Sequence, residues 1–304
     1  MNGMDDPNMV RRVRHGVMLL ILFLLGNPGA PVHGQESLDS LRQRAQKGSA
    51  EAQAALGTGY QNGQGVHQDL AEAARWFRKA AEQGNTAAQN SLGFLYDYGG
   101  GVPFDHQEAA KWYRKAAEQG YAEAELNLAW IYDSGQGFPM DHAEAAKWYR
   151  RSAEHGNGEA AFDLGVMYEQ GQGVTPDFGE AAKWYRKAAE QGMHVAQLAL
   201  GRLYASGRGV AHDPAEAARW YQKAADLGLA TAQYELSRAY SSGEGVAADP
   251  VAAYQWMDLA AFRALDAARE KYSGQRDALR ARLSAEQLAE AKRRVEAWKA
   301  KWMR

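Results

Sequence analysis

The stretch Gly84 to Gly120, GNTAAQNSLGFLYDYGGGVPFDHQEAAKWYRKAAEQG, decides the fold, because the chain repeats it with small changes every 36 residues. Trp76, Trp112, Trp148, Trp184, Trp220 and Trp256 form one column of identical residues, and Leu56, Leu92, Leu128, Leu164, Leu200 and Leu236 form a second. Tyr60, Tyr96, Tyr132, Tyr168, Tyr204 and Tyr240 make a third. A strict period between about 20 and 50 residues belongs to a solenoid or a propeller rather than to a globule. What one unit folds into decides between the two.

In the first half of the unit, Ala88, Leu92, Leu95 and Tyr96 fall at i, i+4, i+7 and i+8, a single apolar stripe along a helix. Gly99 and Gly101 end it, since glycine takes up the left-handed conformation that closes a helix and turns the chain. Asp105 opens a second helix with Glu108 three residues on, an acidic version of the capping box. The pair returns at Asp69/Glu72, Asp141/Glu144, Asp177/Glu180 and Asp213/Glu216, and Pro214 and Pro250 follow the capping Asp of the last two units, where a missing N–H costs nothing. The second helix turns Ala109, Trp112, Tyr113, Ala116 and Ala117 inward and Glu108, Lys111, Arg114, Lys115 and Glu118 outward, the latter an ordinary solvated face with Arg114 matched to Glu118. No segment alternates with period two, which excludes a propeller. The predicted fold class is all-α, an α/α solenoid superhelix of helix-turn-helix repeats of 36 residues. Leu92, Tyr96, Trp112, Leu128, Tyr132, Trp148, Leu164, Tyr168 and Trp184 are assigned to its repeating core.

The pattern A-x-x-x-L-G-x-x-Y, followed by G-x-G-V-x-x-D-x-x-E-A-A-x-W-Y-x-K-A-A-x-x-G, closely resembles the Sel-one-like repeat, the slightly longer relative of the tetratricopeptide repeat, over residues 48–263. The resemblance implies a non-catalytic α/α solenoid adaptor that holds partners together, in bacteria often at the cell envelope or in signalling and exopolysaccharide assembly. Cysteine-rich members, for which penicillin-binding or β-lactamase activity is described, are set apart by their stapled helix pairs. This chain has no cysteine, so disulfides, thiolate metal sites, cysteine nucleophiles and a lipid-modified terminal cysteine are all excluded.

Charge and the two ends add to this. The net charge of −2 gives a nucleic-acid role no basic footprint. Arg11, Arg12 and Arg14 precede the nine apolar residues Val17 to Leu25, and small residues follow up to Gly34. That order fits a signal peptide over residues 1–34, or a membrane anchor if it is not cleaved, and nine residues fall short of the roughly 20 that span a bilayer. The expected location is periplasmic or secreted. Residues 35–47 are expected to form an N-terminal capping helix, with Leu41 and Ala45 in register with Phe77 and Ala81. Six repeats fill 48–263, and 264–304 hold a partial seventh repeat and a C-terminal capping helix. Because Ala264 stands where other units have glycine, the sixth unit's second helix is expected to run on into the next segment. Ser284 with Gln287 opens the last helix, which has Leu288, Ala291, Val295, Trp298 and Trp302 on one face and Lys292, Arg293, Arg294, Lys299 and Lys301 on the other. Its principal role is a cap; contact with an anionic membrane surface is the alternative.

Identical columns make the scaffold, so individuality lies where units differ. By resemblance to tetratricopeptide repeats, Asn90/Phe94, Leu126/Trp130, Phe162/Val166, Leu198/Arg202 and Tyr234/Arg238 face a concave groove, with Asp97, Asp133 and Glu169 as an acidic mouth. The expected guest is a protein or peptide with apolar anchors; Leu126, Phe162 and Leu198 completing the packing between units is the competing reading. A periplasmic accessory that binds or helps assemble glycan is the alternative function. The Trp column is read as core rather than a sugar platform, since alanines flank it. His67, His106, His142 and His212 are read as loop-surface residues too far apart to share an ion, and no catalytic set, cofactor or metal is expected.

Overall fold

The computed structural model describes residues 37–302, so the expected leader over residues 1–34 lies outside the described residues. Fifteen α-helices and no strand are found among them. We number them α1 (Leu38–Gln46), α2 (Ala50–Asn62), α3 (Leu70–Glu82), α4 (Thr86–Tyr98), α5 (His106–Glu118), α6 (Ala122–Ser134), α7 (His142–Glu154), α8 (Gly158–Gln170), α9 (Phe178–Glu190), α10 (His194–Ser206), α11 (Pro214–Asp226), α12 (Ala230–Ser242), α13 (Pro250–Arg263), α14 (Asp266–Arg280) and α15 (Ala285–Trp302). They fall into two compact units, residues 37–160 with Gln172–Val174 and the remainder from Ala161 on. In the first unit each helix from α1 to α7 packs on the next, and in the second so do α9 to α14, with α15 lying on α13. This is the α/α solenoid class: hairpins, each closed only by its neighbour.

The capping Asp residues start the second helices. Asp105 Oδ1 accepts from the N–H groups of Gln107 and Glu108 at 2.9 and 3.0 Å, and Asp69, Asp141, Asp177, Asp213 and Asp249 cap their helices in the same way. The reciprocal half of the expected capping box is absent. The N–H of Asp105 donates instead to the carbonyl of Tyr96 at 2.9 Å, and Asp69, Asp141, Asp177, Asp213 and Asp249 donate to the equivalent tyrosines. Each Glu is thereby released to pair one turn on, Glu108 with Lys111 at 2.8 Å and Glu216 with Arg219 at 3.0 Å. A full box forms at α15, where Ser284 N donates to Gln287 Oε1 at 3.0 Å and Gln287 N to Ser284 Oγ at 3.1 Å.

Two kinds of close approach set the packing. The glycine of each Leu-Gly pair receives an aromatic ring from the second helix of its own hairpin: a Cβ on Gly57, Gly93, Gly165 or Gly201 would lie 2.6 to 2.8 Å from the ring of Phe77, Tyr113, Tyr185 or Tyr221. In the sixth unit both members change together, to Ser237 and Met257, and Ser237 Oγ donates to the Ala253 carbonyl at 2.6 Å. The second approach links neighbours. Gly101, at φ +72, rests on the start of the preceding hairpin's second helix, where a Cβ would meet the Leu70 carbonyl carbon at 2.2 Å; Gly173, Gly209 and Gly245 do the same two, three and four periods on, and Gly137 lies against the Cβ of His106.

The Trp column is core. Trp112, Trp148, Trp220 and Trp256 are buried and Trp76 and Trp184 half-buried. A cation three residues on covers the indole, Lys115 at 3.8 Å over Trp112 and Lys223 at 4.0 Å over Trp220, with Lys79, Arg151 and Lys187 in the same relation to Trp76, Trp148 and Trp184. Of the expected outward residues, Arg114 does not pair with Glu118; it donates to the hydroxyl of Tyr132 in the next hairpin, as Arg78 does to Tyr96 and Arg186 to Tyr204.

At the N-terminal end, Ala45 is buried, and α1 packs on Ala52 and Leu56 with Leu41 alongside. At the other end the expected run-on is wrong. The chain leaves α13 at Ala264, whose backbone is extended, and turns through Asp266 at φ +47. Burial of the Ala264 side chain and a bond from Arg269 Nε to its carbonyl at 2.9 Å hold this break in place of glycine. α14 then continues past Tyr272 to Arg280, and α15 buries Ala291 and Val295 against Trp256 and Leu259 with Trp298 at the edge.

Chemical denaturation tests the two contact types. Trp148→Ala is expected to cost about 3–5 kcal/mol, Gly93→Val about 1–3 kcal/mol by forcing Tyr113 aside, and Lys111→Ala no more than about 0.5 kcal/mol. Equal midpoints for all three would remove the Trp column and the ring-on-glycine contact from the core.

Candidate partner-binding faces

In the first unit, α4 and α6 carry Asn90, Phe94, Leu126 and Trp130 half-exposed. Phe94 lies against Tyr98 with ring centroids 4.5 Å apart, and Asn127 Nδ2 donates to Asn90 Oδ1 at 3.0 Å, which fixes one first helix against the next. The face is mixed: large rings and a leucine for apolar contact, set beside an amide pair. In the second unit, Arg202 and Arg238 are exposed and Tyr234 half-buried. Arg238 pairs with Glu235 at 3.1 Å and lines a cleft of about 510 Å³ together with Tyr221, Ser242 and Glu244. Tyr234 stacks on Tyr272 at 4.6 Å.

Three expected contact residues are not on a surface. Phe162, Val166 and Leu198 are 5%, 2% and 5% exposed, so they complete the packing and are unavailable to a guest. The reason is local: Phe162 lies against the ring of Tyr185 at 5.6 Å, and Leu198 belongs to the cluster of Ala217 and Tyr221. The expected acidic mouth is also internal. Asp97 is 4% exposed and meets His106 Nδ1 at 2.5 Å; Asp133 meets His142 Nδ1 at 2.8 Å; Glu169 accepts from the Tyr185 hydroxyl at 2.6 Å. Burial first, then the neighbouring Asp97 carboxylate, pushes the Tyr113 phenol well above its ordinary value, so this hydroxyl remains a donor to Asp97. His106 and His142 are therefore not idle loop residues: each ties the start of a second helix to the first helix of its hairpin. His67 and His212 are exposed.

One site went unread in the sequence. Along the first helices a buried amide recurs: the Nε2 atoms of Gln53, Gln89, Gln197 and Gln233 donate to the carbonyls of Ala45, Ala81, Ala189 and Ala225 at 3.0 to 3.1 Å, satisfying the end of the preceding helix. In the third hairpin that column holds Glu125, fully buried. Its carboxylate pairs with Arg151 at 3.1 Å and His155 at 2.8 Å, and Arg151 takes over the carbonyl bond, to Ala117 at 3.2 Å. Ser152, in the alanine column, donates to the Ala122 carbonyl at 2.8 Å. The signal was present as four simultaneous departures from the column residues within one repeat, but an apolar-periodicity search passes over polar columns.

Among the described residues no group of three or more His, Cys, Asp or Glu is placed to hold a metal ion, and no helix is long and apolar enough to cross a membrane.

The helical hairpins with glycine-closed turns that recur through the described residues define a helical repeat protein. The Sel1 repeat model matches residues 50–85, 86–121, 122–157, 158–193, 194–229 and 230–261, and the chain belongs to that family. Its members generally mediate protein–protein interaction and are typically non-catalytic scaffolds. A Sel1 repeat protein from Oxalobacter formigenes is similar at 38% identity over 74% of this chain and 87% of that one, with a TM-score of 0.60. A protective antigen of uropathogenic Escherichia coli, c5321, shows 28% identity over 86% and 78% of the two chains, with a TM-score of 0.46. The immunity protein Pa5087 of Pseudomonas aeruginosa shows 21% identity over 76% and 83%, with a TM-score of 0.38. No curated protein matches.

Glu125→Gln restores the residue of its column and is expected to leave the denaturation midpoint near that of the parent, whereas Glu125→Ala strands the Arg151 and His155 donors and is expected to lose about 1–3 kcal/mol. Equal losses would mean that the pairing is incidental.

Proposed function

We propose that this protein is an exported, non-catalytic adaptor that holds a protein or peptide partner along the faces of its first helices. One observation carries the reading: the Leu column is consumed in the core, the Trp column is buried or half-buried and the Tyr column half-buried at its edge, while the residues that differ between hairpins and stay partly accessible are Asn90, Phe94, Leu126 and Trp130. Ring and aliphatic side chains held on successive rigid helices suit an extended or helical segment with apolar anchors, and their fixed geometry limits the conformational entropy lost on binding. Arg202 and Arg238 add exposed cations on the second unit's first helices, which favour an acidic stretch of the guest there. The buried, cation-covered indoles speak against the Trp column as a platform for glycan. Export rests on the basic, apolar and small-residue order of residues 11–34.

A photo-crosslinking residue at Phe94, used in the native host, is expected to capture one protein. Trp130→Ala is expected to weaken that partner's binding by about tenfold or more, and Lys111→Ala to leave it unchanged. Capture from position 111 but not 94, or retention on peptidoglycan alone, would sink the proposal. Mass spectrometry of the recovered protein reads the mature N-terminus, and an intact leader on a cytoplasmic protein would remove the export step.

A further inference from the structure

The large hydrophobic side chains exposed among the described residues are unevenly placed. Phe104 and Met140 sit in turns, but Leu227, Phe262, Leu265 and Trp302, 46%, 50%, 48% and 41% exposed, all lie at the C-terminal end. Contacts make them neighbours. Trp302 Nε1 donates to the carbonyl of Asp226 at 2.8 Å, beside Leu227, and the Arg263 guanidinium lies 4.6 Å over the Trp302 ring. Lys299 sits 4.8 Å over Phe262. Next to Phe262, α13, α14 and α15 enclose a cleft of about 470 Å³ lined by Arg269, Ser273, Arg276 and Lys299, with Asp258 as its only carboxylate. Asp258 is engaged by Arg276 at 3.5 Å.

From this geometry we infer that the cleft between α13, α14 and α15 receives the phosphate headgroup of an anionic phospholipid while Phe262, Leu265 and Trp302 enter the bilayer interface. Arg276 also meets Asp277 at 2.9 Å and Lys299 meets Glu296 at 3.0 Å, pairs at the rim whose carboxylates are exposed and which add little. From Asp258 to Arg304 twelve Lys and Arg stand against seven Asp and Glu, and this excess makes the C-terminal end complementary to an anionic surface. The exposed side chains around it are aromatic and aliphatic, the types that settle at the boundary between headgroups and acyl chains. This reaches beyond the adaptor reading: it places the last hairpin against a membrane surface, apart from the faces proposed for the protein partner.

Because the chain has no cysteine, a single Leu265→Cys substitution takes one environment-sensitive fluorophore on the full-length protein, and Thr58→Cys, exposed on α2, provides the control. Vesicles of phosphatidylcholine mixed with phosphatidylglycerol are expected to shift the emission of the label at 265 and not at 58, and phosphatidylcholine alone to shift neither. Lys299→Gln is expected to weaken the response about fivefold, the worth of ~1 kcal/mol for one cation at an anionic surface. High salt is expected to weaken it further, and Phe262→Ser, at an exposed position, to weaken it without lowering the denaturation midpoint. Equal shifts at both labels, equal binding to neutral vesicles, or a response to glycerophosphate or an acidic peptide without one to vesicles would each overturn the inference.

Discussion

The hairpins depend on a large side chain of the second helix, in most units an aromatic ring, lying close against a residue with little or no side chain on the first. Where Tyr113 meets Gly93, the two helices of a hairpin approach closely enough that a methyl group would sit 2.8 Å from the ring. That approach buries the Ala109, Ala116 and Ala117 face of the second helix and brings Leu92 into the interior. It also fixes the direction in which the hairpin presents its outer residues. The same contact recurs with Phe77, Tyr185 and Tyr221; in the third hairpin Ala129 stands in the glycine column and Tyr149 in the ring column, both fully buried, and in the sixth Met257 replaces the ring and Ser237 the glycine. A flexible thioether side chain gives way where a rigid ring does not.

The joints between hairpins obey a second constraint, the satisfaction of helix ends. Second helices finish with free carbonyls, and a glutamine from the next first helix reaches back to one of them. The capping Asp secures the other end, and its own N–H is taken by a tyrosine carbonyl rather than by a glutamate. The glutamates one turn inside are then free to pair with lysine or arginine on the surface, where such pairs add little stability. Rigidity therefore comes from burial and from helix ends whose backbone groups find partners, rather than from the many charges the sequence displays.

The period, the two-helix unit, the Trp, Leu and Tyr columns and the capping Asp residues were all legible in the sequence, because each is a local rule repeated six times. The candidate faces were legible only in part. Phe94, Leu126 and Trp130, expected on a groove by resemblance, are half-exposed, but Phe162, Val166 and Leu198 are buried, since spacing alone does not say how wide the covered stripe of a helix is. Asp97, Asp133 and Glu169 read as surface charge because their partners, His106, His142 and Tyr185, stand nine to sixteen residues away across a turn. The break after Ala264 was missed for a related reason: tertiary burial, rather than glycine, holds that turn.

Glu125 with Arg151 and His155 is complete inside one hairpin, and what it offers the hairpin before is a bond to a main-chain oxygen, as the glutamines do elsewhere. Gly101, Gly173, Gly209 and Gly245 likewise rest on main chain, which their neighbouring hairpins supply alike. Neighbours thus recognise one another through main-chain atoms and through side chains that recur from period to period, such as Arg114 with Tyr132, and the Asn127–Asn90 pair is an exception confined to one junction. A recombination event that gains or loses one whole period leaves each junction chemically closed, so the length of the stack is free to drift while the individual hairpins keep their own peculiarities.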